Sequence, residues 1–140
     1  MRNGIPTQAL AKFEAALSQA KDDPEILCDL GYCQYLLRNF EAAEATLNEA
    51  IRVSPKLRRA HMNLGMVFAR TGRADMALRA FASAGCTEAH AHNNLAYVLT
   101  TEEQWQPAMN EYQRALQLNP SLSQARAGID VASRMLARQQ

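Results

Sequence analysis

The chain has 140 residues, enough for one domain, and its 48% of hydrophobic residues can build a core. Its 15 Lys and Arg residues are nearly balanced by 14 Asp and Glu residues, so a formal net charge of +1 argues against binding nucleic acid through phosphates. The three cysteines (Cys28, Cys33 and Cys86) do not form a paired disulfide framework, and no apolar run is as long as a membrane span. We therefore expect a cytoplasmic protein with neither a membrane nor a nucleic acid as partner.

Helix starts and apolar spacing predict eight helices in chain order. Apolar residues at helical spacing give the ranges 6–21, 24–37, 40–53, 56–70, 73–84, 88–101, 105–118 and 121–138. Asp23, Ser54 and Asn119 each precede a proline, which predicts a capping residue followed by proline at the first helical position. Asn39 and Thr87 are predicted to cap without a proline.

A repeat of 34 residues runs along most of the chain. A Leu-Gly or Leu-Ala pair occurs at 30–31, 64–65 and 95–96, and a step of the form Ala-x₃-(Leu or aromatic)-x₂-Ala occurs at 9–16, 43–50, 77–84 and 108–115. The shift between the last two units is 31 residues, which indicates a deletion of three residues. We expect it in the connection at 85–87. Gly72 lies at a predicted hairpin turn, and Gly4, Arg38 and Glu103 occupy the equivalent positions.

The small residues of the repeat predict close contact between helices. The other repeats also have small residues at the positions of Gly31, Ala43 and Ala50. This recurrence at fixed offsets favours a role in helix packing over a simple preference of these residues for helices.

These features resemble the tetratricopeptide repeat (TPR), whose signature is W-x₂-L-G-x₂-Y, then A-x₃-F, then P, with a 34-residue period. The signature tryptophan is replaced by Leu27, His61 and His92 in the three units that contain that position. The resemblance implies an all-α fold: a right-handed α-solenoid of antiparallel helical hairpins, the TPR superhelix, with a C-terminal capping helix.

The resemblance divides the chain into one domain of several units. They are a partial repeat at 1–23 with its second helix only, repeats at 24–57, 58–88 (shortened) and 89–122, and a capping helix at 123–140. Because the first hairpin lacks a helix, we interpret the chain as a fragment of a longer, bacterial-type array, with a natural atypical end as the alternative. The face with Phe13, Ala16 and Leu17 would then lack its partner helix, which predicts self-association.

The resemblance also implies where a ligand binds, because the first helix of each TPR hairpin lines a concave groove. The implied site for a protein or peptide is Asp29, Tyr32, Tyr35, Arg59, Asn63, Met66, Arg70, His90, Asn94 and Tyr97, and Asn93 shares this side. Asp29, Asn63 and Asn94 each precede a Leu-Gly or Leu-Ala pair and are predicted to form a ladder that binds an extended backbone. The alternative is that they stabilise neighbouring hairpins or are only solvated.

No catalytic residue, metal ligand or cofactor site is predicted. His90 and His92 are two positions apart and point in different directions on a helix, and no carboxylate completes a site beside Cys86. His61 and His92 are interpreted as packing residues. We expect a protein–protein interaction scaffold and not an enzyme. The alternatives are an assembly segment of a larger multi-repeat protein, such as a pilus-assembly or secretion component, and a regulatory array attached to a catalytic domain outside this chain.

Overall fold

The computed structural model describes residues 4–140, and within this range all regular structure is α-helical. The eight helices are α1 (Gly4–Gln19), α2 (Pro24–Leu36), α3 (Phe40–Val53), α4 (Arg58–Arg70), α5 (Ala74–Ser83), α6 (Glu88–Thr101), α7 (Trp105–Leu118) and α8 (Ser123–Arg138). The predicted all-α class and the order of the helices are confirmed. Gly4, expected at a turn, is instead the first residue of α1, and the rest of that predicted turn, residues 1–3, lies outside the described residues.

The described helices form two compact units, and the division falls within α4, between Val67 and Phe68. In the first unit α2 packs against both α1 and α3. Its core contains the buried residues Leu27, Cys28, Ala50 and Ala60, with Leu17, Ile51 and Leu57 packed around them. Leu17 and Phe13 are half-buried, so the predicted open face of α1 is partly covered, and self-association through it stays a prediction.

In the second unit α6 packs against α5, α7 and α8, and α7 also packs against α8. Most of the buried side chains are alanines, which allow the helix backbones to approach closely. Its core cluster is Ala89, Ala96, Ala108, Tyr112, Ala115, Leu122 and Ala125, with Leu99, Leu116 and Ile129 packed against it.

Two glycines lie where neighbouring helices approach each other closely. A Cβ atom on Gly31 of α2 would lie 2.6 Å from Cγ of Leu47 on α3, a side chain that is fully buried. A Cβ atom on Gly128 of α8 would lie 2.3 Å from the Tyr112 ring on α7. Ala43 and Ala50 on α3 have no exposed surface. The predicted packing role of Gly31, Ala43 and Ala50 is therefore confirmed, and Gly128 has the same role.

We expect Gly31→Ala to destabilise the protein. On an exposed helical site this change stabilises by about 1 kcal/mol. Here the new methyl group overlaps Leu47, and overpacking of this kind costs about 1–3 kcal/mol, so the net effect in urea unfolding is expected to be unfavourable. Ala45→Ser on the exposed side of α3 is the control and is expected to change stability little. A stabilised Gly31→Ala variant would contradict the close-contact interpretation.

Four helices end in the same left-handed turn. Arg38, Gly72, Gly85 and Glu103 have positive φ angles of 62°, 77°, 92° and 58°. At the end of α5, for example, the N–H of Gly85 donates to the carbonyl of Ala82 at 2.9 Å, and the N–H of Cys86 donates to that of Phe81 at 3.0 Å. This is the Schellman motif, which glycine favours because it has no Cβ atom. The predicted equivalence of Arg38, Gly72 and Glu103 is confirmed.

We expect Glu103→Gly to stabilise the protein by about 0.5–1 kcal/mol. A left-handed conformation costs an L-residue about 1–2 kcal/mol, and the greater freedom of unfolded glycine offsets part of the gain. The measurement is urea unfolding with Gly72→Ala as the opposite control, which is expected to lose stability. Equal stability of wild type and Glu103→Gly would show that the turn at Glu103 is unstrained.

Three prolines were predicted to begin helices, and two of them do not. Asp23 does cap α2, since its Oδ1 accepts from the N–H groups of Glu25 at 2.9 Å and Ile26 at 3.2 Å. Ser54-Pro55 and Asn119-Pro120 instead open four-residue turns, closed by N–H bonds from Leu57 to Ser54 and from Leu122 to Asn119, both 3.1 Å. The predicted helix starts at 56 and 121 are therefore wrong. Proline suits the second position of such a turn because its φ is already correct there.

The remaining two predicted caps differ from each other. The Oγ1 atom of Thr87 accepts from the N–H of His90 at 3.2 Å, as predicted. Asn39 occupies the cap position of α3, but its side chain makes no capping bond in the described part of the chain.

The three-residue deletion shortens a helix and not a connection. Helix α5 has 10 residues, four fewer than the 14 of α3, and α6 has 14, one more than the 13 of α4, which together give the net loss of three. The connections 54–57 and 84–87 that follow them are equal in length. The prediction that the deletion lies in the connection is therefore wrong. Gly85 explains the early end of α5, because its left-handed conformation stops the helix one turn sooner.

Two of the three cysteines belong to the core of the first unit. Cys28 and Cys33 on α2 are buried, and Cys86 in the second unit is partly exposed. Burial raises the pKa of the Cys28 thiol to about 11, with the nearby Arg59 guanidinium acting in the opposite direction. Burial also raises the pKa of Cys33. Both groups are therefore neutral thiols at pH 8, and a neutral thiol is a poor nucleophile.

We expect one fast-reacting thiol in the native protein at pH 8. Titration with a coloured disulfide reagent is expected to label Cys86 first, and Cys28 and Cys33 only after unfolding in denaturant. Cys86→Ser should remove the fast phase, and Cys33→Ser should leave it intact. Rapid labelling of two or three thiols in the native state would show that the first unit opens readily.

Candidate functional site

The predicted site residues of the first unit include a charge-paired group. The guanidinium of Arg59, at the start of α4, donates to Oε2 of Glu25 at 2.8 Å and also to Oδ1 of Asp29, both on α2. These side chains are partly exposed, so the pairs contribute little stability. Asp29 is thus engaged with another helix of the fold, which favours the stabilising interpretation of its ladder position over backbone binding.

Tyr35 does not belong to an open binding surface. Its side chain is only 4% exposed, and it packs between Tyr32, with ring centres 6.2 Å apart, and Phe40, at 5.8 Å. The ring fills the junction of α2 and α3 and is not openly available, so ligand contact by Tyr35 stays a prediction. Tyr32 remains 41% exposed and available for contact.

Helix α4 carries three more predicted site residues. Asn63 and Met66 are partly exposed. Arg70, in the last turn, is different, because its guanidinium pairs with Oε1 of Glu102 at 2.7 Å and its side chain is only 16% exposed. Arg70 therefore ties the end of α4 to the end of α6, and its predicted contact with a ligand stays a prediction.

The second unit contains a cavity on the side of α6 that was predicted to bind a ligand. It has a volume of about 310 Å³ and is lined by Asn93, Asn94 and Tyr97 of α6, Tyr112 of α7 and Gln124 of α8. The predicted residues Asn94 and Tyr97 thus lie together at one cavity. The sequence interpretation placed Asn93 on this side without assigning it to the site, and it missed Tyr112 and Gln124. Tyr112 was assigned only to the aromatic position of the repeat, and Gln124 belongs to no sequence pattern that would indicate a binding role.

The cavity wall combines polar and apolar surface, and its lining residues carry no formal charge. Asn94 donates from Nδ2 to the Sγ atom of Cys86 at 3.6 Å, a long and weak bond. The Tyr112 hydroxyl lies 3.3 Å from Oγ1 of Thr100, and the Tyr97 ring is 62% exposed at the rim. Amide groups can both donate to and accept from a peptide unit, and tyrosine offers a flat apolar face beside a hydroxyl. The wall therefore offers hydrogen-bonding groups beside flat apolar surface to a ligand.

The histidines make hydrogen bonds within the fold. The exposed His90 lies beside Thr87, with 2.7 Å between Nδ1 and Oγ1, and does not line the cavity. His92, largely buried, lies 2.6 Å from Oε2 of Glu111, which links α6 to α7. His61 lies 2.7 Å from the carbonyl of Pro55. The two histidines at signature tryptophan positions therefore have polar roles in holding elements together.

In residues 4–140, no three His, Cys, Asp or Glu side chains are grouped to hold a metal ion. Nor does this range contain a helix of the length and apolarity needed to cross a bilayer.

Solved structures similar to this chain are helical-repeat proteins. A MamA protein is 18% identical, with 96% of this chain and 75% of that chain covered and a TM-score of 0.62. MamA from residue 41 to its end, from Desulfovibrio magneticus RS-1, is 21% identical, with 98% and 85% covered and a TM-score of 0.64. YrrB, described as a TPR protein with an unusual peptide-binding site, is 22% identical, with 89% and 71% covered and a TM-score of 0.58. At these identities the similarity establishes the fold, an all-α helical-repeat solenoid.

Two protein-family models match parts of the sequence. Residues 1–63 match one family model described as tetratricopeptide repeat, and residues 89–122 match a second with the same description. No curated protein sequence matches the chain. This family supports a general role in protein–protein interaction. With the two matches, the repeat period and the solenoid fold in agreement, the chain belongs to the tetratricopeptide repeat family.

Proposed function

We propose that this chain is an interaction scaffold that binds an extended peptide segment of a partner protein at the cavity between α6, α7 and α8. The observation that carries the proposal is the cavity itself, where Asn93, Asn94, Tyr97, Tyr112 and Gln124 converge. Its volume of about 310 Å³ lies at the lower end of the range for ligand sites in proteins.

The composition of the cavity supports a peptide over other ligands. Three amide side chains match the alternating N–H and C=O groups of an extended backbone. Tyr97 stands exposed at the rim, and tyrosine is enriched among residues that dominate the energy of protein interfaces. A net charge of +1 gives no general attraction for nucleic acid.

The proposal extends to part of the first unit. Tyr32, Asn63 and Met66 are at least partly exposed, so they are proposed as further contacts for the same kind of ligand. Asp29 and Arg59 are proposed to act only at the margin, because their charges are already paired. YrrB, whose description names a peptide-binding site, is a precedent for such a use of the fold. We propose no catalytic role for the chain.

The test compares two truncations of exposed side chains in the same unit. Tyr97→Ala removes the ring at the cavity rim, and Leu118→Ala removes another exposed side chain at the end of α7, which is not among the lining residues. Both proteins are immobilised, and the partners captured from a cell extract are quantified by mass spectrometry. We expect recovery of specific partners to fall about tenfold with Tyr97→Ala and to stay at the wild-type level with Leu118→Ala.

Circular dichroism of both variants controls for folding. Equal recovery with wild type and Tyr97→Ala would move the binding site to another surface of the chain. Equal loss with both variants would point to reduced stability and would count against the cavity as the site.

A further inference from the structure

The cavity of the second unit suits one large side chain. Its volume of about 310 Å³ lies at the lower end of the range of about 300–1,000 Å³ for pockets that hold small molecules. Three helices bound it, with the buried Tyr112 of α7 on its inner side, Gln124 of α8 beside it and Tyr97 of α6 at the rim. A space of this size can enclose one side chain of a bound segment, while the main chain of that segment passes across the opening.

Two aromatic rings line the cavity without stacking on each other. Tyr112 is 4% exposed and Tyr97 is 62% exposed, and neither makes an aromatic contact within residues 4–140. In the first unit, by contrast, Tyr32 and Tyr35 stack with ring centres 6.2 Å apart. A pair of aromatic rings gains attraction beyond that of its buried area. A ring supplied by a ligand therefore gives the cavity tyrosines the aromatic neighbour that the fold does not provide.

The cavity also offers a hydrogen-bonding group that the fold leaves unused. The side chain of Gln124 is exposed at the start of α8, and its amide makes no hydrogen bond in the described part of the chain. Asn94, by contrast, already donates from Nδ2 to Sγ of Cys86. The Gln124 amide is therefore available to a ligand, and its oxygen accepts from an N–H or O–H group.

These features together restrict the side chain that fits. None of the five lining residues, Asn93, Asn94, Tyr97, Tyr112 and Gln124, carries a formal charge at neutral pH. A charged side chain placed here would lose hydration without gaining a counter-charge, which is costly. An aliphatic side chain would bring no ring to the tyrosines and no donor to the amide. Tyrosine and tryptophan are uncharged and combine an aromatic ring with one O–H or N–H donor, so they satisfy all three conditions.

We propose that the cavity holds one tyrosine or tryptophan side chain of the partner, with its ring beside Tyr97 and Tyr112 and its O–H or N–H donating to Oε1 of Gln124. This inference rests on the proposed peptide-binding function. It adds the chemical class of the residue that enters the cavity, and it gives helix α8 a part in recognising the ligand.

The first experiment selects ligands from a phage-displayed library of random octapeptides on the immobilised wild-type chain, with Tyr97→Ala as the counter-selection. We expect enriched sequences to share one tyrosine or tryptophan. Enriched peptides without a shared tyrosine or tryptophan would overturn the aromatic anchor, while leaving peptide binding in place. Failure to enrich any peptide that depends on Tyr97 would overturn the proposed function itself.

The second experiment titrates the best synthetic peptide, labelled with a fluorophore, by fluorescence anisotropy. A leucine in place of its tyrosine or tryptophan is expected to weaken binding about 30-fold, the loss typical of a residue that dominates an interface. Equal affinity of the leucine peptide and the parent peptide would overturn the aromatic anchor.

The third experiment tests Gln124 against a matched control. Gln124→Leu removes the amide, and Gln113→Leu makes the same change at an exposed glutamine of α7 that is not among the lining residues. We expect Gln124→Leu to bind the peptide about fivefold more weakly, the size of one hydrogen bond, and Gln113→Leu to bind it as wild type does. Both glutamines are exposed, so neither change removes core packing, and circular dichroism verifies folding.

A modified peptide identifies the donor. Phenylalanine in place of the tyrosine, or naphthylalanine in place of the tryptophan, keeps the ring and removes the polar hydrogen. This peptide is expected to bind wild type about fivefold more weakly and to show no further loss with Gln124→Leu, because the bond is already absent there. Wild-type affinity of Gln124→Leu, an equal loss with Gln113→Leu, or a further loss of the modified peptide on Gln124→Leu would overturn the assignment to Gln124.

Discussion

The close approach of neighbouring helices at small residues is the constraint on which the rest of the structure depends. Gly31 leaves no room for a Cβ atom beside Leu47, and Gly128 leaves none beside the Tyr112 ring. Fully buried alanines such as Ala43 and Ala108 continue these contacts. The core therefore consists of a few large side chains packed against small ones. Because packed interiors tolerate little overlap, these contacts fix the distance between the two helices of a hairpin.

The same constraint creates the candidate site. Tyr112 is seated against Gly128 and is almost fully buried, yet it also lines the cavity. A larger residue at 128 would move α8 away from α7 and take Gln124 with it. The cavity thus depends on packing within the hairpin, and its two amide residues on α6 are presented by a rigid helix. Side chains on rigid helices lose little conformational freedom when a ligand binds, and this favours affinity.

Several polar side chains on the predicted binding face are used by the fold. Arg59 pairs with Asp29 on α2, and Arg70 pairs with Glu102 at the end of α6. The residues that line the cavity are all neutral: Asn93, Asn94, Tyr97, Tyr112 and Gln124. The cavity is therefore uncharged, although charged residues are 21% of the chain.

The sequence by itself determined the class, number and order of the helices, the equivalence of Gly72 with Arg38 and Glu103, and the small residues at helix contacts, because these follow from spacing along one chain. It placed the deletion wrongly, because where α5 ends depends on the left-handed turn at Gly85 and not on the repeat alignment. Tertiary structure alone decided which site residues are open. Tyr35 and Arg70 share the spacing of contact residues, but one is buried and the other is paired with Glu102, 32 positions away. Pairing and burial depend on what the fold brings beside a residue, and a periodic pattern contains no information about that neighbour.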